Sequence, residues 1–476
     1  MKKITTYIII GMITSISMIP FVNGKTHQDE YIIKNTFNQY SGLFSRNPDD
    51  QINNEVIKSL IKCNSENSLI NHYDAEKQEK KSHNLEDSST KEWTWMFYDD
   101  ADFDNAFDPL TMGTEEYPTF VQETCSGENL NIVVLQDGEH QPASLWYING
   151  QHETELIREM DEVNMGEYQT IYDFIQFSKE NFPAERYFLS LYNHGAGWRG
   201  ACVDDTDNDM LSMDEIQNAL TNSGGIDIIC FTAPCLMGSL ESVYELRDCV
   251  DMYIGSEAVS GYGHWYGTIE AMCDLFEKNH SMTNYEIGEY VIETIYSNTP
   301  APDMITMSAI RTDYLDSLAL NIDILCQHLL NNYDVSRKNI LSILSSISTF
   351  DEGVVDFFEF INNYQKVENN QTIMHCIENV ITTYSEVIIA ECHGSNFPNA
   401  NGLSIYFPIN KKSYNNNYND EQYGLDISND TNWDEFIVRI MKTRSKNPIN
   451  LIIKHIFENI LVKIFPYNTF AQYQNS

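Results

Sequence analysis

The chain has 476 residues, of which 42% are hydrophobic, which is enough to bury the core of one large domain or two ordinary ones. Its 70 Asp and Glu residues outnumber 29 Lys and Arg residues, giving a formal net charge of −41. A surface this negative repels nucleic acids, so we exclude a DNA- or RNA-binding protein.

The first 24 residues have the pattern of a secretory signal peptide. Two lysines precede an apolar run over residues 4–22, and residues 22–24 offer a cleavage site. Gly11 and Pro20 weaken the run as a membrane span, although an uncleaved anchor remains the alternative. We therefore expect a signal peptide at 1–24 and a protein that is secreted or held at the cell surface.

Residues 25–92 are polar and end in a highly charged stretch at 76–92. Such a composition buries little apolar surface, so we interpret this region as a propeptide and linker.

Short apolar runs begin at Trp93 and have the composition of buried parallel strands. The predicted strands are 93–98, 131–136, 187–192 and 226–231, and the clearest helices between them are 170–182 and 212–223. Ser212 and Glu215 have the spacing of a capping box at the start of the second helix. Strands that alternate with helices predict an α/β fold with a mainly parallel sheet.

The second half of the chain is mostly helical in pattern. Amphipathic helices are clearest at 321–333 and 371–390, a late strand at 402–408 returns the chain to sheet, and a short helix begins at 433–436.

A basic amphipathic tail, residues 444–476, follows the last predicted helix. Isoleucines, leucine and phenylalanine form one apolar face between Ile449 and Ile464. The charged residues Lys454, Glu458 and Lys463 in the same segment argue against a spanning helix. The tail either docks on its own domain or lies on a membrane surface.

Two reactive side chains directly follow neighbouring runs of strand character. His194 comes after strand 187–192, and Cys235 comes after strand 226–231. The active site of a parallel sheet lies beyond the carboxyl ends of its strands, where an imidazole can activate a thiol. The backbone N–H groups of Gly195 and Cys235 would then stabilise an oxyanion.

Each residue also has a structural interpretation. A histidine after a strand is often structural, and a buried cysteine is usually an inert apolar residue, as we expect for Cys230 inside its strand. The ten cysteines are too few for a disulfide scaffold, and none has zinc-ligand spacing. With one nucleophile among ten, at least one further thiol is expected to be free or buried.

The sequence resembles the clostripain family of cysteine peptidases, which share a caspase-like fold. The similar segments, all in the family's order, are 93–104, 162–198, 213–216, 235–248, 255–265, 401–408 and 433–436. The resemblance implies a peptidase domain over residues 93–443, a caspase-like α/β/α sandwich, and a catalytic dyad at His194 and Cys235.

Two positions depart from family members that cleave after Arg or Lys. Ala233 stands where an aspartate is expected two residues before the nucleophile, and Tyr262 stands where a second is expected. Glu257 is the nearby candidate to replace them, although it resembles ordinary family framework. Specificity for Arg or Lys is therefore in doubt.

Carboxylates at Asp205, Asp207 and Asp209 have the spacing that begins a calcium-binding EF-hand loop, but Met210 replaces the turn glycine. Residues 99–104 have a similar composition. Because some members of the family depend on calcium, it is the one cofactor considered, with a solvated acidic loop as the alternative. We assign no metal ligand from the sequence.

These observations predict a secreted cysteine endopeptidase that acts on proteins or peptides through a thioester acyl-enzyme. The alternatives are an inactive binding protein on the same fold, and a hydrolase of another acyl or amide substrate.

Overall fold

The computed structural model describes residues 90–101, 129–138, 141–148, 154–259, 265–278, 282–299, 301–351, 353–408, 412–419 and 425–441. The predicted signal peptide, nearly all of the propeptide and linker, and the basic tail lie outside these residues. No helix within the described ranges is long and apolar enough to cross a membrane.

The described ranges contain fourteen strands, most of them short. They are β1 (Lys91–Ala101), β2 (Leu130–Gly138), β3 (Gln141–Ile148), β4 (Thr154–Glu159), β5 (Ala184–Tyr192), β6 (Ala201–Asp204), β7 (Asp209–Leu211), β8 (Ile226–Phe231), β9 (Val250–Gly255), β10 (Thr306–Arg311), β11 (Thr349–Asp351), β12 (Val354–Asp356), β13 (Ile388–His393) and β14 (Ser404–Tyr406).

Eleven α-helices are present in the same ranges. They are α1 (Tyr168–Asn181), α2 (Met213–Asn222), α3 (Leu240–Glu245), α4 (Trp265–Lys278), α5 (Asn284–Asn298), α6 (Leu315–Asn331), α7 (Tyr333–Leu344), α8 (Phe357–Gln365), α9 (Gln371–Val387), α10 (Asp426–Asp430) and α11 (Trp433–Met441). The predicted capping box of α2 is confirmed, because the Ser212 side chain accepts from the Glu215 N–H and the Glu215 carboxylate accepts from the Ser212 N–H.

Nine strands form the central sheet in the order β13-β10-β9-β8-β5-β1-β2-β3-β4. The five middle strands, from β9 to β2, pair in parallel, and antiparallel strands complete both edges. Successive residues of β1 point to opposite faces: Met96 and Tyr98 pack in one core cluster, and Trp95 and Phe97 in the other.

Helices cover both faces of this sheet. One core cluster contains residues of α1, α2, α3 and α6, and the opposite cluster contains residues of α4 and α5. The predicted α/β/α sandwich with a mainly parallel centre is confirmed.

Two details of the second half differ from the sequence-based expectation. The helix predicted at 371–390 ends at Val387, because Ile388–His393 forms edge strand β13, antiparallel to β10. The late strand predicted at 402–408 is the shorter β14, Ser404–Tyr406, and it belongs to a separate three-stranded sheet with β11 and β12.

Candidate active site

His194 follows β5 and is held by the residue before it. Asn193 is buried and has a φ of 133°, a conformation that non-glycine residues seldom adopt. Its side-chain amide donates to the carbonyls of Asp100, at 2.9 Å, and Val203, at 3.1 Å. Its Oδ1 accepts from the backbone N–H groups of His194 and Val203. Asn193 therefore fixes the chain direction at His194, a role that sequence reasoning missed.

Cys235 follows β8, the parallel neighbour of β5, and Leu191 lies opposite Phe231 in the register of the two strands. The carboxyl ends of both strands therefore lie at one edge of the sheet, as predicted. Cys235 is partly buried and forms no disulfide.

Gly195 brings the His194 and Cys235 loops into direct contact. A Cβ atom at Gly195 would lie 2.3 Å from the Cys235 carbonyl oxygen, 2.7 Å from Pro234 Cβ and 2.8 Å from the Cys235 nitrogen. Real Cβ atoms do not approach backbone this closely, so only glycine fits. The close approach places the two backbone N–H groups predicted for the oxyanion on adjoining segments.

The residues after Cys235 are attached to the end of β9. Leu236 has a φ of 65°, and its N–H donates to the Ala258 carbonyl at 3.0 Å. The Gly238 N–H donates to the Ser256 carbonyl at 2.7 Å. The Cys235 loop is thus held between the end of β5 and the segment that follows β9.

Partial desolvation lowers the pKa of His194 below its usual value, and the nearby Asp205 charge opposes that shift. Because the residue is exposed at the surface, we regard the desolvation as modest. The direction favours a neutral imidazole at neutral pH, the form that can accept a proton.

Other cysteines in the described ranges have the features of inert thiols. Cys230 lies inside β8 and is buried, and burial raises its thiol pKa. Burial, with the charges of Asp100 and Asp99, likewise raises the pKa of Cys202. The expectation of further free or buried thiols is confirmed, since Cys202, Cys230, Cys249, Cys326, Cys376 and Cys392 are all free.

Two of the three predicted specificity residues, Ala233 and Glu257, are described by the structure, and both are buried. Ala233 is buried beside the Cys235 loop, and Tyr262 lies outside the described residues. Glu257 is buried, its Oε2 accepts from the Gly402 N–H at 2.9 Å, and it interacts with Asp356. These contacts give the Glu257 carboxyl a structural function, and its role in a substrate pocket stays a prediction.

Acidic side chains converge beside β2 and β6, but they are not the three aspartates singled out in the loop. Asp137, Glu162 and Asp204 each place a carboxylate oxygen within 4.8 Å of the others. Asp204 also accepts from the Met165 N–H at 2.8 Å and from the Asp207 N–H at 2.8 Å. Hard oxygen donors in this arrangement suit calcium, whose bonds to oxygen are about 2.3–2.6 Å long.

The clostripain family model Peptidase_C11 matches residues 121–445. Clostripain from Hathewaya histolytica is 25% identical over 407 residues, covering 68% of this chain and 76% of that protein.

Solved structures with the same fold include two C11 proteases. One is a secreted cysteine protease from Bacteroides thetaiotaomicron in complex with an irreversible peptide inhibitor, and the other is an inactive zymogen from Parabacteroides distasonis. Each has a TM-score of 0.54 and 18% identity, covering 72% of this chain and 99% of the other. The family match over most of the chain, on a caspase-like fold, shows that this protein is a cysteine-type peptidase of the clostripain family.

Proposed function

We propose that this peptidase hydrolyses peptide bonds with Cys235 as nucleophile and His194 as general base. The observation that carries the proposal is the backbone contact between Gly195 and Cys235 at the adjoining ends of β5 and β8. This contact supports a short path between the imidazole and the thiol.

The reaction would follow the acyl-enzyme route. His194 takes the thiol proton, and the Cys235 thiolate attacks the scissile carbonyl carbon. The N–H groups of Gly195 and Cys235 donate to the oxyanion of the tetrahedral intermediate. His194 then protonates the leaving amine, and a water molecule, deprotonated by the same imidazole, hydrolyses the thioester.

The test compares Cys235→Ala with Cys230→Ala. Loss of a nucleophile reduces the rate by several orders of magnitude, whereas loss of a framework cysteine mainly reduces stability. We expect Cys235→Ala alone to abolish peptide hydrolysis and labelling by a covalent cysteine-peptidase probe. Equal activity of the two folded variants would contradict the assignment, and an unlabelled, inactive wild type would favour the inactive binding protein.

We further propose that the residue before the scissile bond is not Arg or Lys. A buried cationic side chain without a partner carboxylate costs about 2–5 kcal/mol, and neither Ala233 nor Tyr262 offers one. In matched fluorogenic peptides ending in Arg, Lys, Leu, Tyr or Asn, we expect the neutral residues to lead. A hundred-fold lead for Arg or Lys would require another carboxylate, with Glu257 the first candidate.

Calcium is proposed as a ligand of the Asp137, Glu162 and Asp204 cluster, where it would offset three clustered negative charges. We expect Ca²⁺ to raise the melting temperature of the wild type, and Asp137→Asn to abolish that increase. Asp209→Asn is the control, because Asp209 is exposed and outside the cluster. An equal increase in all three proteins would contradict this site.

We also propose that the protein is secreted. Its basic tail, residues 444–476, would serve attachment and would not contribute to catalysis. Truncation after Lys446 is expected to leave the peptidase rate unchanged while removing any binding to liposomes. A folded truncated protein with a lower rate would show that the tail shapes the active site.

A further inference from the structure

A cavity of about 230 Å³ adjoins the two loops that carry the dyad. Its lining includes Ala196–Arg199, which follow His194, and Leu236, which follows Cys235. Ala233 is not part of the lining, so the cavity is separate from the predicted pocket at that residue. The volume greatly exceeds that of one water molecule and is below the ~300 Å³ of small-molecule sites, so it suits a single side chain.

Glu241 lies in the wall of this cavity and is fully buried. Its Oε1 accepts from the Tyr406 N–H at 2.8 Å and from the Tyr418 hydroxyl at 2.8 Å. Its Oε2 is buried as well and has no hydrogen bond of standard geometry to a described residue, although the Ser239 hydroxyl in the same wall is close enough to interact with the carboxyl. A buried carboxyl with one oxygen incompletely hydrogen-bonded is unfavourable by itself and is stabilised by a bound donor.

The remaining lining suits an aliphatic stem with a charged end. Trp198 and Tyr406 lie with ring centroids 5.7 Å apart, and Val354 adds apolar surface. Two further ionisable residues of the lining, Asp351 and Arg199, are exposed and have opposite charges that offset each other. The Glu241 carboxyl is therefore the one acidic group of the described lining that has no basic residue to balance it. Aromatic walls and a buried carboxyl are the features that hold a lysine or arginine side chain.

Burial is the largest cause that raises the pKa of Glu241, and hydrogen bonds from the Tyr406 N–H, from its own backbone N–H, and from the Tyr418 and Ser239 hydroxyls act against it. A cation beside the carboxyl favours its charged form. The carboxyl is therefore set to ionise when a basic side chain enters.

The position of the cavity relative to His194 indicates which part of a substrate it meets. The general acid of a peptidase lies on the side of the leaving amine, because it must protonate that nitrogen. Residues 196–199 continue directly from His194. On the basis of the proposed dyad, we infer that the cavity binds a basic side chain on the carboxyl side of the scissile bond, and that Glu241 determines this specificity.

The test uses internally quenched peptides that differ only after the scissile bond, where lysine is compared with its uncharged analogue norleucine. With the full-length protein, we expect kcat/KM to favour lysine by tenfold or more at one position. Glu241→Gln keeps an acceptor for Tyr406 and Tyr418 but removes the charge, so the preference should fall to within about threefold.

Glu245→Gln is the matched control on the same helix. Its carboxyl accepts from the Asp426 N–H at 2.9 Å and is not part of the cavity, so this variant should retain the lysine preference. If the wild type cleaves in a Cys235-dependent way but shows no preference for lysine, the inference about the cavity is wrong while the proposed function stands. This outcome can be read even if Glu241→Gln fails to fold. Survival of the preference in a folded Glu241→Gln would also overturn it, whereas absence of all cleavage would contradict the proposed function itself.

Discussion

At the residue scale, the site depends on backbone contacts as much as on reactive groups. Gly195 permits the His194 loop to touch the Cys235 backbone and the Pro234 side chain, and Asn193 holds the turn that precedes it. Asn193 takes no part in the proposed chemistry and Gly195 contributes only a backbone N–H, yet both determine where the imidazole and thiol can lie.

Replacing Gly195 with alanine should separate the two loops. The added methyl would lie 2.3 Å from the Cys235 carbonyl oxygen, which is backbone and cannot rotate away. We expect a loss of about 100-fold in kcat/KM and a destabilisation of about 1–3 kcal/mol. Gly138→Ala is the control, because nothing lies within 4 Å of the methyl it would add. Full activity of Gly195→Ala would show that this contact does not position the dyad.

Residue type and strand position were sufficient to predict that His194 and Cys235 follow strands ending at one edge of the sheet, whereas their assignment as a catalytic pair came from the family resemblance. Residue type and strand position were not sufficient for Asn193, whose partners Asp100 and Val203 belong to other strands. The same limit applies to the acidic cluster, because Asp137 and Glu162 are far from Asp204 along the chain and meet it only in the folded sheet.

At the element scale, the four strands predicted in the first half of the chain have continuous apolar runs, because strands in the middle of the sheet are buried on both faces. Edge strand β4 is largely exposed and edge strand β13 is mostly half-buried, and both are mixed in composition. Their residues alone therefore do not predict them, and pairing with a neighbouring strand defines them. The small sheet of β11, β12 and β14 is likewise defined by pairing between short segments.

The buried carboxyls of Glu257 and Asp356 connect the end of β9, the start of α8 and the segment at residues 401–402. Glu257 follows β9 and binds the Gly402 N–H, while Asp356 caps α8 and accepts from the Asn401 N–H at 2.7 Å. Burial raises the pKa of Asp356 to about 6, and burial followed by the charge of Asp356 raises that of Glu257. A carboxyl whose pKa is raised by folding contributes stability at low pH that is lost as the pH rises through the folded value.

Glu257→Gln should therefore change how stability depends on pH. The amide stays neutral and keeps an acceptor for Gly402, so the variant does not lose the stability that the wild type loses as the pH rises above the unfolded pKa of Glu257. We expect the free energy of unfolding of Glu257→Gln to exceed that of the wild type by an amount that grows as the pH rises from ~5 to ~8. Urea unfolding at several pH values measures this difference. The exposed Glu293→Gln is the control, and parallel curves for all three proteins would contradict the argument.

At the scale of the whole molecule, the net charge of −41 and the buried carboxyls act in the same direction. Burial is the main cause that raises the pKa of Glu245 to about 7, and burial, followed by the neighbouring Glu435, raises that of Asp434 to about 7. Both groups favour folding below their unfolded pKa values and lose that contribution as the pH rises through 7. Repulsion between surface carboxylates grows over the same interval.

Salt separates these two contributions, because it screens exposed charges and has little effect on buried ones. With a chelator present to exclude calcium, we expect the melting temperature to fall between pH ~5.5 and ~8.5. Raising the salt from ~10 to ~200 mM at the higher pH should restore a few degrees, but not the whole loss. The same salt series at pH ~5 is the control and should give a smaller increase, because fewer surface carboxylates are charged. Full recovery of the melting temperature by salt would show that repulsion between surface carboxylates alone causes the pH dependence. A melting temperature that rises with pH would contradict both the surface repulsion and the contribution of the buried carboxyls.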